Sequence, residues 1–210
     1  METYKRKFHY QNEGVAENYM DRRFSDPKGE RENAEVTDAL DLALRSISGV
    51  QTVLDMPCGS GRFTNLFYEK GYQQVGADIS MEMISVLAKD QKEKHRVPLL
   101  VRCDGEALPF KDDIFDCVIC VRFLHHYMPD SVRVKILREM RRVSRKWLIV
   151  QSQRLWRLGF HAILKVSMRK LFRRKVRKHR FHREIVAAGW VETAWSGARP
   201  ANRYFEIYRK

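Results

Sequence analysis

The chain has no apolar run near the roughly 20 residues that a membrane-crossing helix needs, and this excludes a helical bilayer-spanning protein. Its first residues, Met1 to Lys7, are basic, but no apolar signal-type segment follows them. A cytoplasmic protein is therefore expected. Internal repeats and low-complexity tracts are absent. Cysteine is sparse, with four residues at positions 58, 103, 117 and 120. Cys117 and Cys120 form a lone C-x-x-C, whereas zinc needs two further ligands at comparable spacing. In an extended strand these two residues also point to opposite faces. Buried reduced thiols and no metal are the expectation. Acidic residues run out in the last part of the chain: residues 151–210 hold 16 Lys/Arg against 3 Asp/Glu, net +13 of a total of +14. The first 150 residues are thus nearly neutral, and the charge points to an anionic partner on the C-terminal side.

What is present fits one globular domain. The chain has 210 residues, 44% hydrophobic and 11% aromatic, too rich in apolar side chains for a disordered protein. Residues 1–33 read as a polar helix followed by a loop around Pro27 and Gly29. Val36, Ala39, Leu40, Ala43, Leu44 and Ile47 recur at helical spacing over Ala34–Ile47. Short apolar strands then alternate with helices. Strands are expected at 52–54, 74–77, 99–101, 115–121 and 147–150, with helices at 62–70, 81–91 and 131–143. This alternation implies an α/β fold, a parallel sheet with helices on both faces. A helix over 183–188 and two strands, 190–195 and 203–208, close the chain, the last pair as an antiparallel strand or hairpin. The expected organisation of the single domain is an N-terminal cap (1–33), a core (34–150), a basic lid or insertion (151–182) and a C-terminal helix with strands (183–210).

The densest chemical signal is Val53-Leu54-Asp55-Met56-Pro57-Cys58-Gly59-Ser60-Gly61, a strand running into a glycine turn ahead of a helix. Gly59 and Gly61 let the backbone turn tightly and approach a ligand, and free N–H groups at the next helix start would face an anion. Seventeen residues after Gly61 the second strand ends at Asp78, placed to accept hydrogen bonds from ribose hydroxyls. Asp104-Gly105-Glu106 follows the third strand, and Phe115-Asp116-Cys117-Val118 opens the fourth. Asp55 has an alternative reading as a turn-forming aspartate, Asp78 as the cap of the helix that follows and Asp104 as a turn former, and Asp116 reads as structural. A nicotinamide-type G-x-G-x-x-G would need glycine at position 64, where Thr64 stands.

This ordered set resembles the class I S-adenosylmethionine (SAM)-dependent methyltransferases, in particular the group containing ubiquinone- and menaquinone-pathway C-methyltransferases. The resemblance covers roughly residues 34–150 and implies a Rossmann-like fold with SAM as cofactor. It implies that Pro57, Cys58, Gly59 and Gly61 pass under the methionine part, with Asp55 orienting the loop or receiving the ammonium group. Asp78 would hold the ribose, Ile79 would pack on adenine, and Asp104, with Gly105 and Glu106 beside it, would accept from the adenine amine. Arg122 and Phe123 would line the methionine end, and Tyr19 would cover the cofactor. His125 or His126 is the candidate general base, and Tyr127 would orient the acceptor.

The methyl acceptor is less legible. Trp156, Phe160, Ile163, Leu164, Met168, Leu171 and Phe172 share one helical face, with basic residues opposite. Arg173, Arg174, Lys175, Arg177 and Lys178 follow in a dense run. The expectation is a lid for a small, anionic or lipid-linked acceptor, with possible membrane-surface association at the inner face. The alternatives are a tRNA methyltransferase of the wobble-uridine type, which Leu124-His125-His126 resembles, and a non-catalytic basic binding module. The Pro-Gly-Gly turn usual before the fifth strand in that family is replaced by Arg142-Val143-Ser144-Arg145-Lys146-Trp147.

Overall fold

The computed structural model describes residues 16, 25–124, 129–153, 178–198 and 203–210. Helix α1 (Pro27–Arg45) begins earlier than its apolar spacing indicates. Pro27 and Gly29 read as breakers, yet Pro27 occupies the first turn, where its missing N–H costs nothing. Asp26 caps that turn by accepting from the Gly29 N–H at 2.6 Å. Val36, Ala39, Leu40, Ala43 and Leu44 form its buried stripe.

Strands β1 (Thr52–Asp55), β2 (Gln73–Asp78), β3 (Leu99–Arg102), β4 (Phe115–Cys120) and β5 (Ser144–Gln153) are parallel. Between them lie α2 (Thr64–Glu69), α3 (Met81–Glu93) and α4 (Asp130–Val143), and α5 (Lys178–Ala187) precedes β6 (Val191–Ala198) and β7 (Arg203–Arg209). The sheet order is β3-β2-β1-β4-β5-β7-β6. Strand β7 slots antiparallel between β5 and β6, so the C-terminal hairpin extends the parallel sheet.

Every residue of β4 is buried, as a central strand covered on both faces must be. Its alternate side chains feed two cores. Val118 and Cys120 join α4, α5 and Trp190 on one face. Cys117, Ile119 and Val121 join α1 and α2 on the other. The two C-x-x-C sulfurs therefore lie on opposite sides of the sheet. Burial pushes both thiols well up from the ordinary cysteine value. Half-buried Cys103 is likewise pushed up, to about 11, by burial and by nearby Asp78.

The charged stretch at 142–147 has a structural role. Helix α4 passes into β5 with no intervening loop. Arg142 donates to the carbonyls of Leu108 (2.8 Å) and Phe110 (2.7 Å) and pairs with Glu139 and Asp112. Glu139 in turn accepts from the Leu108 N–H at 2.8 Å. The loop after β3 is thereby clamped to α4. Three residues on, Arg145 pairs with Asp116, whose other oxygen accepts from the N–H groups of Gln51 and Thr52, both at 2.9 Å. Burial works against ionisation of Asp116, but these donors hold its carboxyl below the usual range. Asp116 is the structural residue its position indicated.

Arg133 is buried among Val132, Ile136 and Leu137 on the inner side of α4. It donates to Glu184 of α5 at 2.5 Å, to the Leu124 carbonyl at 3.1 Å and to Asp130 at 3.3 Å. One guanidinium thus joins both flanks of the turn that follows β4 to the helix leading into β6. Its planar fork of donors suits this three-way contact where a lysine would not.

Candidate active site at the carboxyl edge of the sheet

Asp55 and Asp78 end neighbouring strands, Asp104 lies just past β3, and Arg122 and Phe123 lie just past β4. All these positions fall on one edge of the sheet, where ligands of open parallel sheets bind. The glycine turn between β1 and α2 is held from both sides. The Met56 N–H donates to Ile119 of β4 at 3.0 Å, and the Cys58 N–H to Ala77 of β2 at 2.9 Å. Gly59 and Gly61 have φ of +54° and +87°, a region that side-chain-bearing residues enter at a cost. Nothing lies within 4 Å of where a Cβ on Gly59 would sit, so the loop is open there. At Gly61 the same atom would be 2.2 Å from Leu87 Cδ1, so that glycine lets α3 pack closely.

The helix start differs from expectation. Helix α2 begins at Thr64, not Arg62, and spans six residues. Consecutive turns fill the gap, with the Gly61 N–H donating to Cys58 and the Thr64 N–H to Gly61, each at 3.1 Å. The two glycines force these turns, so the dipole end of the helix is set back from the loop.

Asp55 is 1% exposed and neither carboxylate oxygen has a hydrogen-bond partner. Burial, and then the charge of Asp78, push its carboxyl well above the ordinary aspartate value. The Ser60 hydroxyl is likewise buried without a hydrogen bond. Asp78 is better supplied, accepting from the Gly59 N–H at 2.8 Å and the Ser80 N–H at 3.0 Å. Burial nevertheless raises its carboxyl, against those donors. The helix cap is Ser80, whose hydroxyl accepts from the Met83 N–H at 3.1 Å. Asp78 therefore does not cap α3 but joins the glycine turn to the end of β2.

Asp104 closes a local turn, accepting from the Glu106 N–H at 3.1 Å. Gly105 lies against Met56, where a Cβ would be 2.7 Å from the methyl group. Glu106 is buried with Lys135 3.7 Å away. Ile79 is half-buried, and its carbonyl accepts from Arg102 at 3.3 Å. Arg122 has a φ of +58°, a sharp turn directly after β4. Phe123 packs against the α4-side core. Pro57 and Cys58 lie in the glycine turn, with Cys58 buried. Tyr19, His125, His126, Tyr127, Arg173, Arg174, Lys175 and Arg177 lie outside the described residues, as does the side chain of Lys178. Sequence reasoning missed Ser60, Arg133, Arg142 and Gln151, because their weight comes from burial and partners, which no local pattern reports.

A 3-2-1-4-5-7-6 sheet with its acidic tips and glycine turn at the carboxyl edge defines a Rossmann-like methyltransferase fold. A structure from Pyrococcus horikoshii OT3, the PH0226 protein, shares it with a TM-score of 0.74, 19% identity, and coverage of 99% of both chains. Residues 53–146 match the family model for a methyltransferase domain. Over that stretch the chain carries a methyltransferase domain of the class I SAM-dependent kind. Among curated relatives, the 18S rRNA (guanine-N(7))-methyltransferase bud23 of Schizosaccharomyces pombe is 37% identical over 81 residues, 38% of this chain and 29% of that protein. The ubiquinone/menaquinone biosynthesis C-methyltransferase UbiE of Nitrosospira multiformis is 27% identical over 121 residues, 53% of this chain and 48% of the relative. The chain thus spans less than half the length of either.

Proposed function

We propose that this protein transfers the methyl group of SAM to an anionic acceptor that docks beside its basic C-terminal part. The observation that carries the reading is the pair of buried acids at the carboxyl edge, above all Asp55 with both oxygens unpartnered beside an open glycine turn. A buried carboxylate without donors is costly unless a cation completes it. SAM offers such a cation in its ammonium group, and its ribose hydroxyls suit Asp78, whose two oxygens have lone-pair capacity beyond its backbone donors. Asp104 would take the adenine amine, with Ile79 packing beside the ring. Arg122 and Phe123 would border the methionine end, and Tyr19 would cover the cofactor. When bound, SAM supplies an electrophilic methyl on a sulfonium. The protein's part is to align the acceptor and, for a neutral acceptor, to remove its proton. His125 or His126 is the proposed base, and Tyr127 the proposed acceptor contact.

Calorimetric titration with SAM, its demethylated product and NAD tests the cofactor. Both sulfur nucleosides should bind and NAD should not; failure of both would sink the reading. Asp78→Ala should lower SAM affinity by about 1–3 kcal/mol through lost charge-assisted hydrogen bonds. An unchanged affinity in a folded variant removes Asp78 from the site.

For the acceptor, the favoured class is a small, anionic or lipid-linked molecule, supported by the sequence of the basic stretch, in which apolar residues recur at helical spacing. Among the described residues no helix is long and apolar enough to cross a membrane. A second reading, RNA, is favoured by the identity to an rRNA methyltransferase and by the density of the run from Arg173 to Lys178. Replacing Arg173, Arg174, Lys175, Arg177 and Lys178 by glutamine should abolish acceptor methylation while SAM binding stays within about twofold. Tritium transfer from labelled SAM to total tRNA and to a membrane-lipid extract reads this and separates the two classes. Equal transfer by the neutralised variant would make the run a solvated surface.

A further inference from the structure

Strand β5 alternates Leu148 and Val150 toward α4 and α5 with Ile149 toward α1, so the next residue on the α1 side is Gln151. Asp55 falls on the same side, because Val53 faces α1 and Leu54 faces α4. Register fixes their relation. Asp55 aligns with Ile119 of β4, and Ile119 with Ile149 of β5. Gln151 is therefore two strands across from Asp55, about 10 Å, and two residues nearer the carboxyl edge, about 7 Å. The buried side chain of Val121 lies between them on that face.

Gln151 is 4% exposed and its Nε2 has no hydrogen-bond partner. An unmade hydrogen bond of this kind destabilises the folded protein, and methionine would fill the same volume without the deficit. The amide is thus matched to something the protein itself does not supply. Its position bears on what that is. Asp55 and Asp78 occupy β1 and β2, so the span for SAM lies on that half of the edge. Gln151 stands on the other half, past β4. Because the unpaired atom is a donor, the complementary group is an oxygen with a free lone pair.

Resting on the methyl-transfer reading above, we propose that Gln151 is an acceptor-binding residue. Its Nε2 donates to a carbonyl, carboxylate or phosphate oxygen of the methyl acceptor and orients it over Val121. The residue determines which acceptors align, because a site built to pair with a buried oxygen rejects analogues that lack one.

The test is Gln151→Met, with three readouts. The thermal midpoint of the ligand-free variant should equal or exceed that of the wild type, since the unpaired amide is gone. A midpoint several degrees lower would show an amide already satisfied within the fold and overturn the proposal, whatever the acceptor is. Calorimetric SAM affinity should stay within about twofold, because the residue lies outside the SAM half. Tritium transfer to total tRNA or to membrane-lipid extract, whichever the wild type labels, should fall at least about tenfold, the scale of one lost hydrogen bond. Transfer equal to wild type would overturn the proposal while leaving the methyltransferase reading intact. A wild type that binds no SAM would overturn both. If the wild type binds SAM but labels neither preparation, the midpoint alone decides.

Discussion

Asp55→Asn should stabilise the ligand-free protein and weaken SAM binding by about tenfold to a hundredfold. The carboxylate is buried without a donor, and burial first, then the Asp78 charge, push its proton affinity well above that of an ordinary aspartate. A folded-state pKa above the unfolded one means that the folded chain holds the proton more tightly. The associated stability is fully present below the unfolded aspartate value and is lost as pH rises through the folded value. The wild type should therefore lose stability between about pH 4 and the raised folded value, and asparagine should remove that slope. Above the window the variant should be the more stable, because a neutral amide takes the place of a buried charge. An ammonium seated on Asp55 favours the ionised form, so SAM binding should release a proton in the same window. Urea unfolding across that range and calorimetry in two buffers of different ionisation enthalpy measure both effects. Matching pH slopes in wild type and variant, with equal SAM affinity, would mean that Asp55 neither titrates as argued nor meets the cofactor.

Gly61→Ala should cost about 2–5 kcal/mol of stability and distort the glycine turn. Two terms add: roughly 1–2 kcal/mol for a Cβ in the left-handed region, and about 1–3 for the overpacking. The second arises because the new methyl would lie 2.2 Å from Leu87 Cδ1, on a side chain with no exposed surface. Gly59→Ala separates the terms. Its φ is also positive, but its Cβ would meet nothing within 4 Å, so only the first penalty applies. Denaturant titration of the two variants should show Gly61→Ala losing about 1–3 kcal/mol more. Equal losses would take the Leu87 contact out of the account.

Much of the scaffold can be read from residues alone. Strands β1 and β2 announce themselves as short apolar runs that stop at Asp55 and Asp78, and β4 as a run apolar on both faces. The start of α1 is obscured because Pro27 looks like a breaker until it is placed in a first turn behind Asp26. The start of β5 is hidden because Ser144, Arg145 and Lys146 look like a loop; their strand pairing depends on Asp116 and on the β4 edge. The site divides in the same way. Asp55, Asp78 and the glycine turn follow from spacing, since strand ends and turns are local. Gln151 and Arg133 do not, because a polar residue on a core face is ordinary until the fold leaves it unpaired or surrounds it with three partners. Asp104 shows a third case, in which local chemistry read as an alternative, a turn, engages one oxygen.

The Asp116–Arg145 junction has a consequence for how the sheet yields. At the amino edge, one carboxylate pins the start of β1 to β4 and reaches β5, so three central strands are riveted together there. At the opposite edge, Asp55, Ser60 and Gln151 hold polar atoms that the protein leaves without hydrogen bonds. The domain therefore resembles a fan gripped at its handle: stiff where nothing binds, and compliant along the rim where both substrates of a group-transfer reaction would meet. Partial opening is expected to begin at the rim and leave the handle folded, so that occupancy of the rim would tighten the protein from its weakest side.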